Sequence, residues 1–356
     1  MNTTRWTVRQ RPIRILAPME DVTDTVFRRI VGVLGRPDVF FTEFTGASAM
    51  FGPRADRVRG RLVATRWERP LVAQIWGNSA EDYVRAAAWL RQRGFAGVDI
   101  NMGCPKPKIR KKGYCSALIE KPSLASELIL AAKEGAGDLP VSVKTRIGIS
   151  SIATEEWIGF LLGFGLDALT VHGRTAEDMS QTPCRWDEIG KAVALRDTIS
   201  PRTALIGNGD IGSLAELNAA YRRYGVDGVM VGRGVLANLS LFSGRDFMET
   251  PLVERLQWMR RHIALHRYVW GTSRRYDIVK KFVSVYLGKP SDYESFVERF
   301  MGTSDYSEGL ELIDREVGAL RQRVARESHA SADRTRGGYD PRSDIRSRDN
   351  YGVDVQ

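Results

Sequence analysis

A chain of 356 residues can bury a full apolar core and is long for one compact domain, so a barrel-sized unit of roughly 250 residues plus an appendage is the natural division. Lys and Arg (53) exceed Asp and Glu (43), and the net charge of +10 favours an anionic partner: nucleic acid, a membrane surface or a phosphorylated cofactor. Three cysteines supply no disulfide framework and no CxxC metal pair, no stretch approaches about 18 consecutive apolar residues, and the amino terminus has no apolar signal core; the expectation is a soluble, cytoplasmic, metal-free monomer that does not enter membranes.

Residues 1–12 read as a polar arm or lead-in strand. Ile13 to Ala17 is the first strand candidate, stopped by Pro18-Met19-Glu20 and followed by a helical pattern from about Thr23 to Leu34. Val39 to Phe44 is the second strand, and residues 51–69 are basic and irregular. Pro70 to Trp76 is the third strand, and Ser79 caps a helix reaching about Arg93. The apolar run Phe95 to Ile100 is the fourth, broken by Gly103 and Pro105, with a helix over Pro122 to Glu134. Strands then recur at Pro140 to Thr145, Asp167 to His172, Thr203 to Gly207 and Val226 to Val231. Helices lie between them at Glu155 to Leu162, Trp186 to Arg196 and Ser213 to Arg223. Eight short strands rich in Val, Ile and Leu, nearly all alternating with helices, argue for a (β/α)₈ TIM barrel over residues 1–245. A doubly wound sheet is the alternative, weakened because the first βα turn lacks GxGxxG.

Residues 246–325 read as a small all-helical domain. Nine Lys or Arg and one acid, Asp277, lie between Arg255 and Lys289, which gives it a basic face. Residues 326–356, rich in Ser, Arg, Asp and Gly, read as a disordered tail.

Ligands of parallel α/β barrels bind at the carboxyl ends of the strands. Those ends carry Pro18-Met19-Glu20, Glu43, Gln74, Asn101 with Cys104, Lys144 with Arg146, His172 with Arg174, Asn208-Gly209-Asp210 and Gly232-Arg233. Taken singly, Lys144 also suits a solvated strand end, His172 a satisfied rim histidine, and Cys104 a buried thiol ahead of a charge run. The Gly-rich turns 207–212 and 231–234 suit a phosphate held by backbone N–H groups, and with Lys144 and His172 opposite they suggest flavin mononucleotide. Lys106, Lys108, Arg110, Lys111 and Lys112 follow Cys104 within a short loop and point to an anionic substrate.

In this order, Ala17-Pro18-Met19-Glu20, Thr42-Glu43-Phe44, Gln74, Asp99-Ile100-Asn101-Met102-Gly103-Cys104-Pro105, Val143-Lys144-Thr145-Arg146, Val171-His172-Gly173-Arg174-Thr175, Gly207-Asn208-Gly209-Asp210-Ile211 and Val231-Gly232-Arg233-Gly234 resemble the tRNA-dihydrouridine synthases over residues 13–315. Tyr276 to Phe282 resembles that family's tRNA-binding helical domain. The resemblance implies an FMN enzyme that reduces a tRNA uridine to 5,6-dihydrouridine and is itself re-reduced by NADPH. Pro18, Met19, Glu20, Gln74, Lys144, His172, Asn208, Gly209, Asp210, Gly232 and Arg233 would then line the flavin site. Asn101, Arg146 and Arg174 would face the uracil, and Cys104 would protonate C5 after hydride arrives at C6. Lys106, Lys111, Lys112, Arg274, Arg275, Lys280 and Lys281 are the candidates for RNA phosphates. One departure is Gly113-Tyr114-Cys115-Ser116-Ala117-Leu118, where the family usually has a Gly- and Ala-rich run; Cys115 reads as structural or incidental. Competing functions are a flavin barrel reducing a free pyrimidine and a non-catalytic RNA-binding protein.

Overall fold

The computed structural model describes residues 11–288 and 293–336, with side chains as far as Glu327. Eight parallel strands form its centre: β1 (Ile13–Leu16), β2 (Val39–Phe41), β3 (Leu71–Trp76), β4 (Gly97–Met102), β5 (Val141–Arg146), β6 (Ala168–His172), β7 (Ala204–Asn208) and β8 (Gly228–Val231). Each pairs with its successor, and β1 pairs with β8 through Ile13↔Gly228 to Leu16↔Val231, so the sheet closes into a barrel. A two-residue strand, Thr45–Gly46, extends the edge of β3.

The strands are buried on both faces, which is why they are continuous apolar runs. Ile13, Ile15, Val39, Phe41, Val72, Ala168, Ala204, Ile206 and Met230 cluster together as an inner core. Helices α1 (Thr25–Leu34), α2 (Ala80–Gln92), α3 (Pro122–Ala136), α4 (Gly159–Leu162), α5 (Trp186–Ile199), α6 (Leu214–Tyr224) and α7 (Gly234–Ala237) follow the strands. Local chemistry sets several helix starts: the side chains of Asp24, Ser79 and Ser213 accept from the N–H of Phe27 (2.9 Å), Asp82 (3.3 Å) and Glu216 (3.1 Å). Gly225, at φ 69°, ends α6 in the left-handed conformation.

Three expectations are corrected. Strand four runs on to Met102, because its ladder with β5 continues through Asn101↔Lys144 and Met102↔Thr145. The 51–69 segment is a series of short helical turns. It is pinned from below by the fully buried pair Arg28–Glu68 (2.6 Å), whose carboxylate also accepts from Thr25 and Thr65. Order does not end near residue 326: the last helix continues to Arg336, and residues 337–356 lie outside the described residues.

The carboxyl-terminal part comprises α8 (Leu252–Trp270), α9 (Asp277–Lys280), α10 (Val283–Leu287), α11 (Glu294–Gly302) and α12 (Tyr306–Arg336). It packs against α1, where Phe282 stacks on Phe27 with ring centroids 5.4 Å apart. Polar ties flank this contact: Trp270 Nε1 donates to Asp24 (2.7 Å), and Arg274 reaches both Asp24 (3.4 Å) and the buried Glu43 (3.0 Å). Among the described residues no helix is long and apolar enough to cross a membrane.

Candidate active site at the carboxyl rim

A cavity of about 620 Å³ opens at the carboxyl ends of the strands. Its lining includes Pro18 and Met19 after β1, Lys144 on β5, and His172 with Arg174 at β6. It also includes Asn208-Gly209-Asp210 after β7 and Gly232-Arg233 after β8. Register brings these together: Arg146 pairs with His172, and His172 with Asn208, on three adjacent strands. Nine of the eleven residues expected around a flavin therefore share one cavity. Glu20 and Gln74 do not line it. Glu20 turns instead to Arg61 at 2.5 Å. Ser180, Glu216 and Met230 also line it, and no local sequence signal singles them out.

Gln74 has a different place. Its Nε2 donates to Asp99 (2.7 Å), which also accepts from Ser142 Oγ (2.6 Å). Its Oε1 accepts from Asn101 Nδ2 (3.0 Å), and Asn101 Oδ1 accepts the backbone N–H of Gly103 (3.0 Å) and Cys104 (2.9 Å). A buried chain of hydrogen bonds thus runs from β5 through β3 to the turn that carries Cys104. Asn101, expected to face uracil, uses its carbonyl to shape this turn. Each of the two primary amides keeps one N–H without a described partner.

Cys104 is half-buried on the same rim, and its charge acts on both Lys144 and Arg146. A hydrogen bond from the Cys115 thiol is the main cause that lowers Cys104 to about 6; burial opposes it, and Lys106 and Arg146 assist. Both protonation states are then accessible near neutrality, as suits a group that gives up and regains a proton. Cys115, buried and facing that sulfur, is pushed upward and keeps its proton.

The basic side chains divide the remaining labour. Burial lowers Lys144 to about 8, with Arg146 adding repulsion and Asp99 opposing it. Burial, then the charges of Lys144, Arg146, Arg174 and Arg233, holds His172 well below its usual range, so it is neutral. Its Nε2 lies 3.1 Å from Arg174 Nη1. A guanidinium only donates, so Nε2 accepts and Nδ1 carries the hydrogen. Arg174 also donates to both carboxylate oxygens of Asp210 (2.7 and 2.6 Å) and to Thr182 O. Its guanidinium is largely committed to holding His172 and the β7 turn. Arg146 donates to the carbonyls of Gly103, Thr175 and Met179 and so ties the Cys104 turn to the loop after β6.

A family model for dihydrouridine synthases matches residues 15–319. The chain belongs to that family. It is 41% identical over 312 residues to "Probable tRNA-dihydrouridine synthase 2" of Bacillus subtilis (strain 168), covering 87% of this chain and 95% of that one. It is 39% identical over 312 residues to "Probable tRNA-dihydrouridine synthase" of Staphylococcus aureus (strain MRSA252), covering 87% and 94%. Among solved structures, morphinone reductase superposes with a TM-score of 0.48 at 13% identity, over 67% of this chain and 87% of that one.

In this dihydrouridine synthase the expected phosphate-binding residues separate into two groups. Lys106, Lys111 and Lys112 are exposed on the turn beyond Cys104, and Arg275 is 82% exposed on the helical part. The other three have partners within the chain. Lys280 is buried and donates to Met301 O (2.8 Å) and Thr303 O (2.7 Å). Arg274 is spent on Asp24 and Glu43, and Lys281 donates to Asp21 O. Lys280 and Arg274 hold the helical part together and against the barrel, because they lie next to acceptors that burial would otherwise leave unpaired, whereas Lys281 is exposed.

Proposed function

We propose that this dihydrouridine synthase reduces uridine in tRNA to 5,6-dihydrouridine with FMN re-reduced by NADPH, and that Cys104 donates the proton to C5. The observation that carries this reading is the meeting, on one rim, of a cavity lined by Lys144, His172, Arg233 and two Gly turns with a reachable thiol beside it.

The cavity suits a flat, phosphorylated cofactor. About 620 Å³ lies within the usual range for such sites. A Cβ on Gly232 would stand 3.7 Å from Ala17 and 3.8 Å from Met19 Sδ, inside the lining, so the bare backbone leaves room for a ligand. Arg233 and the turns at Gly209 and Gly232 would take the phosphate. When bound, the flavin supplies the hydride. Lys144, an ammonium with few anionic neighbours, would hold the negative charge that such a ring gains on reduction.

The chain's own groups account for the rest. His172, fixed as the Nδ1–H tautomer, offers a neutral donor to a carbonyl or a developing oxyanion. Cys104 gives its proton to C5, and the Cys115 hydrogen bond then holds the thiolate left behind. A tRNA uridine must leave its stack to reach this depth, at a cost of a few kcal/mol. The exposed lysines after Cys104 would offset that cost through phosphate contacts.

Cys104→Ala should leave flavin content unchanged and abolish single-turnover uridine reduction, while NADPH still reduces the bound flavin. Wild-type turnover in that variant would remove Cys104 from the mechanism.

A further inference from the structure

We propose that Cys104 and Cys115 form a redox-modification site: a hydroperoxide oxidises Cys104, and Cys115 resolves it into an intrachain disulfide that reversibly withdraws the proton donor. This rests on the reading of Cys104 as that donor.

The geometry brings the two residues together through the backbone as well as the sulfurs. Ser116, next to Cys115, donates both its N–H (3.4 Å) and its hydroxyl (2.9 Å) to the Cys104 carbonyl. The two thiols act on each other's protonation, Cys104 being lowered and Cys115 raised. Cys115 opens the short helix Cys115–Glu120 with its backbone at φ 55°, a left-handed conformation that is unfavourable for a side chain other than Gly, Asn or Asp. A sulfur is thus placed at a strained position, with no solvent exposure, beside the turn that carries Cys104. The third cysteine, Cys184, contacts Asn208 O on the β7 side and, being raised to about 11, stays a thiol.

The two sulfurs have complementary exposure. Cys104 is half-open, flanked by Lys106 and Arg146, and is the sulfur a small oxidant meets first. Cys115 is sealed and protonated, so it acts only on a neighbour. In the first step the Cys104 thiolate attacks the distal oxygen of ROOH. The S–O bond forms, the O–O bond breaks, and RO⁻ leaves and is protonated to ROH, giving the sulfenic acid. In the second step the Cys115 sulfur attacks the Cys104 sulfur. The S–S bond forms, the S–O bond breaks, and hydroxide leaves as water with the proton from Cys115. Two thiols are oxidised by two electrons and one peroxide is reduced to an alcohol and water. A dithiol reductant returns both sulfurs to thiols and spares Cys104 from irreversible over-oxidation.

The test uses the full-length flavin-loaded protein, hydrogen peroxide and thiol blocking before digestion. Trypsin cuts among the lysines and arginines between the two cysteines, so a disulfide joins two otherwise separate peptides. The expected result is that cross-linked pair, lighter by two hydrogens, with uridine reduction lost in proportion and restored by dithiothreitol. In Cys115→Ser and Cys115→Ala, each compared with its own untreated sample, the dithiothreitol-recoverable fraction should largely disappear and Cys104 sulfinic acid should accumulate. The proposal is overturned if native protein accumulates Cys104 sulfinic acid without the cross-link, if the cross-link joins Cys184, or if peroxide that oxidises free cysteine leaves both sulfurs intact. A cross-link that forms without loss of uridine reduction would instead overturn the proton-donor reading and leave the dithiol site standing.

Discussion

At the scale of single residues, the site works because partners fix what each group can do. His172 is a neutral donor because burial, and then four surrounding cations, disfavour its charged form while Arg174 occupies its Nε2. Asp99, a carboxylate inside an apolar strand, is raised to about 6 by burial, which the hydrogen bonds from Ser142 and Gln74 and the charge of Lys144 only partly offset. Its place in the run Phe95 to Ile100 was visible in the sequence, and a buried acid there is the signal of a polar network. Gly232 gives a residue-scale prediction. In Gly232→Val the added methyl groups would occupy flavin space, so the purified protein should fold with native circular dichroism yet lack yellow flavin absorbance. Full flavin content in that variant would place the cofactor elsewhere.

At the scale of elements, the loop between β2 and β3 is stabilised by charge rather than by a large apolar face. Arg28 and Glu68 are both fully buried, and Arg28 also donates to Thr23 O and Val63 O, each at 2.7 Å. Removing one partner leaves the other charge uncompensated. Glu68→Ala should therefore lower unfolding free energy by about 3–5 kcal/mol in a denaturant titration. A loss within about 0.5 kcal/mol, the ordinary range for a surface substitution, would show that the pair is dispensable. The turn after β4 makes the opposite case, since its lysines are solvated. Replacing Lys106, Lys108, Lys111 and Lys112 with Ala should weaken tRNA binding and flatten its log–log salt dependence by up to about 1 for each phosphate no longer neutralised. An unchanged slope in a filter-binding series would exclude this turn from the RNA interface.

At the scale of the whole molecule, two histidines buried in the helical part tie its stability to pH. Burial is the main cause that lowers both His262 and His266 to about 4, and they hydrogen-bond the hydroxyls of Tyr286 (2.9 Å) and Tyr306 (2.8 Å). An unfolded histidine takes up a proton near pH 6.5, so between about 6.5 and 4 the unfolded chain binds protons that the folded one refuses. Their stability contribution is present above about pH 6.5 and is lost as pH falls through about 4. The melting temperature should therefore drop between pH 7 and pH 5, and the His262→Gln, His266→Gln double variant should show a shallower drop. Equal slopes would assign the acid sensitivity to other groups.

How much of this was legible beforehand follows from where each kind of information resides. Apolar runs in strands such as Leu71–Trp76 and Val141–Arg146, the caps Ser79 and Ser213, and the Gly turns after β7 and β8 are local patterns. They determined the eight-stranded barrel, its rim residues and the family resemblance. Local pattern could not say which rim side chains face a ligand and which face each other. Barrel closure and strand register put Arg174 on Asp210 and Asn101 on Gln74, and docking of the helical part gave Lys280 and Arg274 partners within the chain. Folding of the same turn brought Ser116, next to Cys115, onto the Cys104 carbonyl, although the sequence alone offered Cys115 only as structural or incidental. A side chain's partner is fixed by elements that meet only after folding, so charge and residue type in the sequence show what a group can do, and the tertiary contacts decide what it does.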